Sequence, residues 1–293
     1  SRAMRTTPVD HDEITAAVHD LYAAAGLKRP RVVVVPSLIN PAAILDLSAG
    51  TSLMQWLAAR GHDACLLDWG SPPSRDDGLD LTAHVERLLV PLLQRFDVPP
   101  ILVGYCLGGT LAVAAGQLLG ARLDRIALIA APWHFDGFGA QARLRAMETW
   151  TAIRPIGQGL GAVPISLLNP LFWSLDEEAV LAKFEALARR PVGDPHLGWF
   201  AAVEDWANSG APLTLPAARD LFVAGFGTDR IGRGLWTVAG QRIVPERLQA
   251  PMLDFGATRD RIVPPEARVR LAGVDAPEAN QLHGEAATRA LKD

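Results

Sequence analysis

A glycine-rich turn between a short apolar run and a helix of small residues constrains the fold of this chain more than any other feature. The turn lies between Ile101-Leu102-Val103 and a helix predicted over Thr110–Leu119, and it reads Gly104-Tyr105-Cys106-Leu107-Gly108-Gly109. Glycines on both sides of one position allow a strand to turn sharply into a helix, because larger side chains would collide with the backbone or its neighbours. The turn therefore presents Cys106 at a helix N-terminus, where the helix dipole and backbone N–H groups favour a thiolate.

Short β-branched runs alternate with longer helical patterns on either side of this turn. The predicted buried strands are Arg31–Val35, Asp63–Leu67, Ile101–Val103, Arg125–Ile129 and Met252–Phe255. Helices are predicted over Ser52–Arg60, which Gly61 ends, and over Leu81–Phe96, before Pro99-Pro100. Alternation of this kind indicates an α/β fold with a mostly parallel, doubly wound sheet.

Composition sets the broad class of protein. The chain has 293 residues, of which 49% are hydrophobic and 20% charged, so it can bury a sizeable core. A net charge of -4 with interspersed charges predicts no nucleic-acid partner, and no apolar run is long enough to predict a membrane span. Two cysteines are too few for a disulfide scaffold. We therefore expect a cytoplasmic protein with a free thiol at position 106.

The pattern changes in the middle of the chain and predicts an inserted cap. Prolines and glycines interrupt aromatic-rich helical pieces that contain Trp150, Trp173, Trp199, Trp206 and Trp236. These tryptophans have a plain alternative role in packing the cap. The predicted organisation is an N-terminal helical extension over 1–30, a core over 31–132 and 249–293, and a cap over 133–248.

Three residues follow the chain order of a catalytic triad. In the α/β-hydrolase fold the order is nucleophile, acid and histidine, each in a loop after a strand. Cys106, Asp260 and His283 have this order, and Asp260 lies in the loop after Met252–Phe255. His134 and His196 in the predicted cap are rival bases, and Asp254 is the weaker rival acid.

The residue types suggest a division of labour. His283 would take the proton of the Cys106 thiol, Asp260 would hold the imidazole tautomer, and the thiolate would attack an acyl carbonyl to form a thioester. The backbone N–H of Leu107 is the first predicted oxyanion donor. The second is expected from Ser37 or Leu38, in the loop after the first predicted strand of the core.

Each assignment has a structural alternative. A cysteine flanked by glycines can be an inert buried thiol, and Asp260 could cap a helix that begins near Pro264. Cys65 is most simply interpreted as a core residue.

Several segments resemble the catalytic domain of polyhydroxyalkanoate (PHA) synthases and their bacterial α/β-hydrolase relatives. The resemblance covers roughly residues 31–285. It is carried by Val35-Pro36-Ser37-Leu38-Ile39-Asn40, Ile44-Leu45-Asp46-Leu47, Gly61-His62, Asp68-Trp69, the cysteine turn and Asp260-Arg261-Ile262-Val263-Pro264. It implies an α/β-hydrolase fold with a cap, hydroxyacyl-coenzyme A thioesters as substrates, and catalysis by Cys106, Asp260 and His283. Because only about 30 residues precede the first predicted strand, we do not expect the N-terminal domain of the longer synthases in this sequence. The segment around the predicted base reads Leu282-His283-Gly284, where the family usually has Gly-His.

The leading hypothesis is an acyltransferase that loads Cys106 from a hydroxyacyl thioester and passes the acyl group to a hydroxyl. The alternatives are a thioesterase, esterase or polyester depolymerase that uses water, and a non-catalytic relative that binds granules or a partner protein. No cofactor and no metal are expected, since coenzyme A enters as part of the substrate. The expected partners are an acyl thioester or polyester. A homodimer, a partner subunit and attachment to granules are open alternatives.

Overall fold

The parallel core predicted from the sequence is present in the computed structural model, which describes residues 5–11, 14–22, 30–48, 50–70, 78–175, 177–191 and 193–269. The strands in these ranges are β1 (Arg5–His11), β2 (Ile14–Tyr22), β3 (Val32–Val35), β4 (Ala64–Asp68), β5 (Ile101–Tyr105), β6 (Arg125–Ile129), β7 (Ala162–Val163), β8 (Leu213–Thr214), β9 (Thr237–Val238), β10 (Gln241–Arg242) and β11 (Met252–Phe255). The five predicted core strands correspond to β3, β4, β5, β6 and β11.

The largest sheet in the described ranges has seven strands in the order β1-β2-β4-β3-β5-β6-β11. The five strands from β4 to β11 are parallel, and β3 is a run of four valines buried on both faces. The pairing aligns Val35 with Gly104, Tyr105 with Ile129, and Ile129 with Phe255. The loops after β3, β5, β6 and β11 therefore meet at one edge of the sheet, where α/β folds place their functional groups.

The helical character predicted for residues 1–30 is wrong where the structure describes this segment as strand, at Arg5–His11 and Ile14–Tyr22. Strands β1 and β2 pair antiparallel with each other, and β2 pairs antiparallel with β4. Their sequences contain the β-branched residues Thr6, Thr7, Val9, Ile14, Thr15 and Val18. Such residues favour extended backbone. The edge of β4 also offers unpaired N–H and C=O groups, and pairing with them favours a strand over a helix.

The described helices are α1 (Leu53–Ala59), α2 (Leu81–Ala83), α3 (Val90–Leu93), α4 (Leu107–Leu119), α5 (Gly139–Leu160), α6 (Ile165–Leu175), α7 (Glu177–Ala188), α8 (Pro195–Ala207) and α9 (Leu215–Arg219). A π-helical segment, His84–Leu89, joins α2 to α3, and a second one, Asp220–Gly227, continues α9. Helix α1 begins where Ser52 accepts a hydrogen bond from the Gln55 N–H, and α2 begins where Asp80 accepts one from Ala83. Helices α1 and α2 begin within one residue of the predicted starts.

Helices α5 to α9 lie between β6 and β11 in the chain, in the segment predicted to form the cap. Two of its tryptophans pack as the plain alternative expects: Trp150 stacks on Phe222 with 5.4 Å between ring centroids, and buried Trp236 lies beside Trp133. Trp173 and Trp199 are about half exposed. The cap boundaries at 133 and 248 stay a prediction.

A partly buried carboxyl group joins this segment to the core. Asp220 accepts a hydrogen bond from the Leu81 N–H at 3.2 Å. Burial raises the pKa of Asp220 to about 6, with a smaller contribution from the charge of Asp80, while Arg219 and Arg230 oppose the shift. Because the folded-state pKa lies above the ordinary value of 3.8, the folded protein binds this proton more tightly than the unfolded chain. The stability that depends on Asp220 is therefore largest below pH 3.8 and is lost as the pH rises to about 6.

We expect Asp220→Asn to raise the free energy of unfolding at pH 8 by about 1–2 kcal/mol and to change it little at pH 4. Asparagine keeps an oxygen for the Leu81 N–H but carries no charge at either pH. Urea unfolding at both pH values measures the effect, and Asp124→Asn on the surface is the control. An equal gain at pH 4 and pH 8 would contradict an origin in ionisation.

Candidate active site

Cys106 lies at a strained turn between β5 and α4. Its backbone has φ 52° and ψ -131°, a conformation with positive φ that non-glycine residues rarely adopt and that costs about 1–3 kcal/mol. The Cys106 N–H donates to the Ile129 carbonyl at 2.9 Å, and its carbonyl accepts from the Gly109 N–H at 2.8 Å. The strand on one side and the helix on the other hold the turn in this conformation.

The flanking glycines are required by close backbone contacts. A Cβ atom on Gly104 would overlap Gly109, and a Cβ atom on Gly109 would overlap the side chain of Ala131. A Cβ atom on Gly108 would overlap the carbonyl oxygens of Val35 and Pro36. These contacts agree with the steric argument made from the sequence, and they bring the start of α4 against the loop after β3.

The half-buried thiol has three polar influences around it. Burial raises the pKa of the Cys106 thiol above its ordinary value, and this is the largest effect. The Leu107 N–H and the Ser37 hydroxyl form hydrogen bonds with the sulfur and lower the pKa, while the negative charge of Asp260 raises it. The N–H at the helix terminus does favour a thiolate, as expected, but burial outweighs it. A thiol in this position needs a base.

A small apolar cavity of about 40 Å³ adjoins the sulfur. Helix α6 contributes to its wall, and so does the π-helical segment Asp220–Gly227. The aliphatic and aromatic residues from these two elements are Leu168, Leu171, Phe172, Leu175, Leu221, Phe222 and Phe226. The cavity suits an apolar acyl chain, but it holds little more than one water molecule in this structure.

The loop after β3 carries the predicted second oxyanion donor. The Ser37 hydroxyl accepts a hydrogen bond from the Ile39 N–H at 3.1 Å, so the Ile39 amide is already paired. Among the described residues, the N–H groups of Ser37 and Leu38 have no hydrogen-bond partner. Both residues stay candidates for the oxyanion site beside Leu107.

Asp260 lies in the loop after β11, close enough for its charge to act on Cys106. One carboxylate oxygen accepts hydrogen bonds from the N–H groups of Ile262 at 2.9 Å and Val263 at 3.0 Å. The short helix that begins at Pro265 has no side-chain cap, so Asp260 does not cap it. The loop orients the carboxylate without using it as a helix cap.

His283, the predicted base, lies outside the described residues, as does the side chain of His196. His134 is described and lines a different cavity, with Trp133 and Arg233, whereas its neighbours Pro132 and Phe135 line the cavity at the thiol. Among the described residues, His134 is thus not part of the wall of the cavity at Cys106.

Asp254, the rival acid, lies on β11 beside Arg268, with 3.7 Å between carboxylate and guanidinium atoms. Burial raises the pKa of Asp254 to about 6, and Arg268 opposes the shift. Its charged neighbour is Arg268, whereas the charge that reaches Cys106 is that of Asp260.

The Ser37 hydroxyl is a contact that sequence reasoning missed, since Ser37 was considered only as a backbone donor. Tyr105 is a second: burial raises the pKa of its phenol, with smaller contributions from Cys106 and Asp260. The position of Ser37 directly after Val35-Pro36 was visible in the sequence. The direction of its side chain depends on how the loop folds over α4.

No protein-family model matches the chain. A poly(3-hydroxyalkanoate) polymerase subunit PhaC from Haloferax mediterranei is 27% identical over 242 residues, which are 80% of this chain and 49% of the relative. The subunit of the same name from Haloarcula marismortui is 26% identical over 257 residues, which are 83% of this chain and 54% of the relative. The resemblance to PHA synthases is confirmed. The chain spans about half the length of these curated relatives.

The PHA-synthase-like chain also shares its fold with a solved carboxyl esterase from Bacillus coagulans. The two are 14% identical and superpose with a TM-score of 0.53, over 100% of this chain and 86% of the esterase. This likeness confirms the α/β-hydrolase fold. None of the helices in the described ranges has the length and apolar character needed to cross a membrane.

Proposed function

We propose that the chain carries the catalytic site of an acyltransferase that forms a thioester on Cys106 from a hydroxyacyl-coenzyme A and transfers the acyl group to a hydroxyl. The observation that carries the proposal is the environment of the Cys106 sulfur: a strained turn, the Leu107 N–H, the Ser37 hydroxyl and an apolar cavity. The relatives named poly(3-hydroxyalkanoate) polymerase support the substrate class.

The proposed reaction has two acyl transfers. His283 takes the thiol proton, and the Cys106 sulfur attacks the thioester carbonyl carbon while the oxyanion is held by Leu107 and by Ser37 or Leu38. The bond from that carbon to the coenzyme A sulfur then breaks, and the proton on His283 passes to the leaving thiolate. In the second transfer, His283 takes the proton of an acceptor hydroxyl, whose oxygen attacks the acyl-enzyme. The Cys106 sulfur leaves and is protonated again, and Asp260 orients the imidazole throughout.

The apolar cavity supports a hydroxyl acceptor over water. The described residues that surround the sulfur there are almost all aliphatic or aromatic, so they offer few partners to hold an attacking water molecule. A hydroxyacyl chain brings its own hydroxyl, and its methylene groups match the apolar side chains that line the cavity. Hydrolysis is the second outcome of the same chemistry.

The test supplies 3-hydroxybutyryl-coenzyme A and follows three quantities: free coenzyme A, the intact mass of the protein, and the mass of the products. We expect coenzyme A release, a hydroxybutyryl adduct on the peptide that contains Cys106, and ester-linked oligomers. Release of monomeric acid alone would identify a thioesterase and reject the transferase. The absence of both the adduct and coenzyme A release would favour a non-catalytic relative.

A further inference from the structure

The C-terminal end of helix α8 is hydrogen-bonded to the loop that follows β3. The Trp206 indole N–H donates to the Pro41 carbonyl at 2.7 Å, and the Asn40 side-chain amide donates to the Ala207 carbonyl at 3.1 Å. Gly210 packs against the same loop, since a Cβ atom there would lie 2.5 Å from the Ile39 carbonyl oxygen. We call these contacts between α8 and residues 39–41 the α8 clasp.

A third hydrogen bond connects the clasp to helix α6. The buried Asn169 side chain in α6 donates to the Asn208 side chain at 3.0 Å, and Asn208 lies directly after Ala207. Leu168 and Leu171, on either side of Asn169 in α6, line the cavity at Cys106. The helix that covers the thiol is thus tied to the end of α8 that holds the loop.

The same loop reaches the sulfur through Ser37. Its hydroxyl accepts from the Ile39 N–H at 3.1 Å, and Ile39 lines the same cavity as Cys106. The Ser37 hydroxyl is also the side-chain hydrogen-bond partner that lowers the pKa of the Cys106 thiol. The Ile39 carbonyl lies against Gly210. The same residue therefore belongs to the clasp through its carbonyl and holds the Ser37 hydroxyl through its N–H. A displacement of α8 would therefore reach Ser37 through residues 39 and 40.

The small size of the cavity requires helix α6 to move before a substrate can enter. A cavity of about 40 Å³ cannot hold a hydroxyacyl group, since small-molecule sites occupy roughly 300 Å³ or more. Helix α6 must move away from Cys106 before an acyl chain can enter. The Asn169–Asn208 hydrogen bond transmits that movement to α8, or it breaks.

We infer that Trp206 and Asn40 are positioning residues that hold Ser37 against the Cys106 thiol when helix α6 covers it, so that cap position and thiol reactivity are coupled. The purpose of this coupling rests on the proposed function: the sulfur is most reactive once the acyl chain is enclosed. The coupling itself is a property of the protein without substrate, and it is testable even if the reaction differs.

The test is the pH dependence of Cys106 alkylation by iodoacetamide, followed by peptide mass. Cys65 is fully buried and serves as an internal reference. Trp206→Phe removes one indole N–H donor and keeps most of the ring. Trp236→Phe is the matched control, because it also removes one indole N–H donor, here to the Thr82 hydroxyl at 2.9 Å, away from the loop.

We expect Trp206→Phe to move the alkylation midpoint to higher pH and to slow alkylation below the midpoint about threefold or more, which is the size of one hydrogen bond. Trp236→Phe should leave the midpoint unchanged. Ser37→Ala should produce the same upward movement, and adding Trp206→Phe to Ser37→Ala should produce no further one, because both act through one hydroxyl.

Three results would overturn the inference. The first is an unchanged midpoint in Trp206→Phe while Ser37→Ala moves it. The second is an additive movement in the double variant. The third is a change in the plateau rate alone, which reports access to the thiol and not its coupling to the clasp. If Trp206→Phe does not fold, Asn40→Ala removes the second clasp hydrogen bond and faces the same criteria.

Discussion

Replacing Cys106 with alanine is expected to abolish the acyl adduct and to lower kcat/KM for a hydroxyacyl-coenzyme A by at least about 10⁴-fold, the scale on which covalent nucleophiles contribute. The Leu107 N–H and the Ser37 hydroxyl remain, but without the sulfur no thioester can form on the protein. Alanine is also tolerated sterically, since it keeps the Cβ atom and removes one atom from the edge of a small cavity. Intact-protein mass and coenzyme A release measure the two effects.

Cys65→Ala provides the matched control. Cys65 is a buried residue of β4 packed in the core, so its substitution is expected to cost stability and to leave the adduct intact. A Cys106→Ala variant that still releases coenzyme A at the wild-type rate would remove Cys106 from the mechanism. Loss of the adduct in Cys65→Ala, with the adduct found on Cys65 in the wild type, would also remove Cys106 from the mechanism.

Replacing Gly108 with alanine is expected to lower the free energy of unfolding by about 3 kcal/mol or more. The added Cβ atom would overlap the backbone carbonyl oxygens of Val35 and Pro36, which cannot rotate away as a flexible side chain can. Either α4 or the loop after β3 must shift, and both hold groups around the thiol. We therefore expect Cys106 alkylation to change together with stability.

Gly159→Ala is the control with the opposite sign. Gly159 lies in helix α5 with open space around its Cα atom, so alanine there should raise stability by about 0.5–1 kcal/mol through helix propensity. Urea unfolding measures both variants. A Gly108→Ala protein as stable as the wild type would show that the close approach of α4 to residues 35–36 is not required.

The parts of the fold that sequence predicted well are those where one local pattern has one solution. Four consecutive valines in β3 have few alternatives to a buried strand, and Ser52 and Asp80 supply the hydrogen bonds with which helices begin. Residues 5–11 and 14–22 were predicted wrongly because the extended backbone of β2 depends on pairing with the edge of β4, which is distant in sequence, and β1 pairs with β2.

The candidate site divides in the same way. The cysteine turn and the loop that carries Asp260 were found from the sequence because each is a contiguous motif with a steric or hydrogen-bonding reason. The Ser37 hydroxyl, the closure of α6 over the sulfur and the α8 clasp were not found. Each joins residues that are separated by tens of residues or more, and no periodicity predicts which side chains face each other across such a gap.

The sequence by itself determined the parallel core, the order of Cys106, Asp260 and His283, and the position of the cysteine at a turn that only flanking glycines permit. Tertiary structure alone decided the state of the thiol. Burial raises its pKa more than the helix terminus lowers it, and the hydroxyl that opposes this effect comes from another loop. Desolvation depends on every group packed around an atom, so it follows from the assembled fold and not from any one segment.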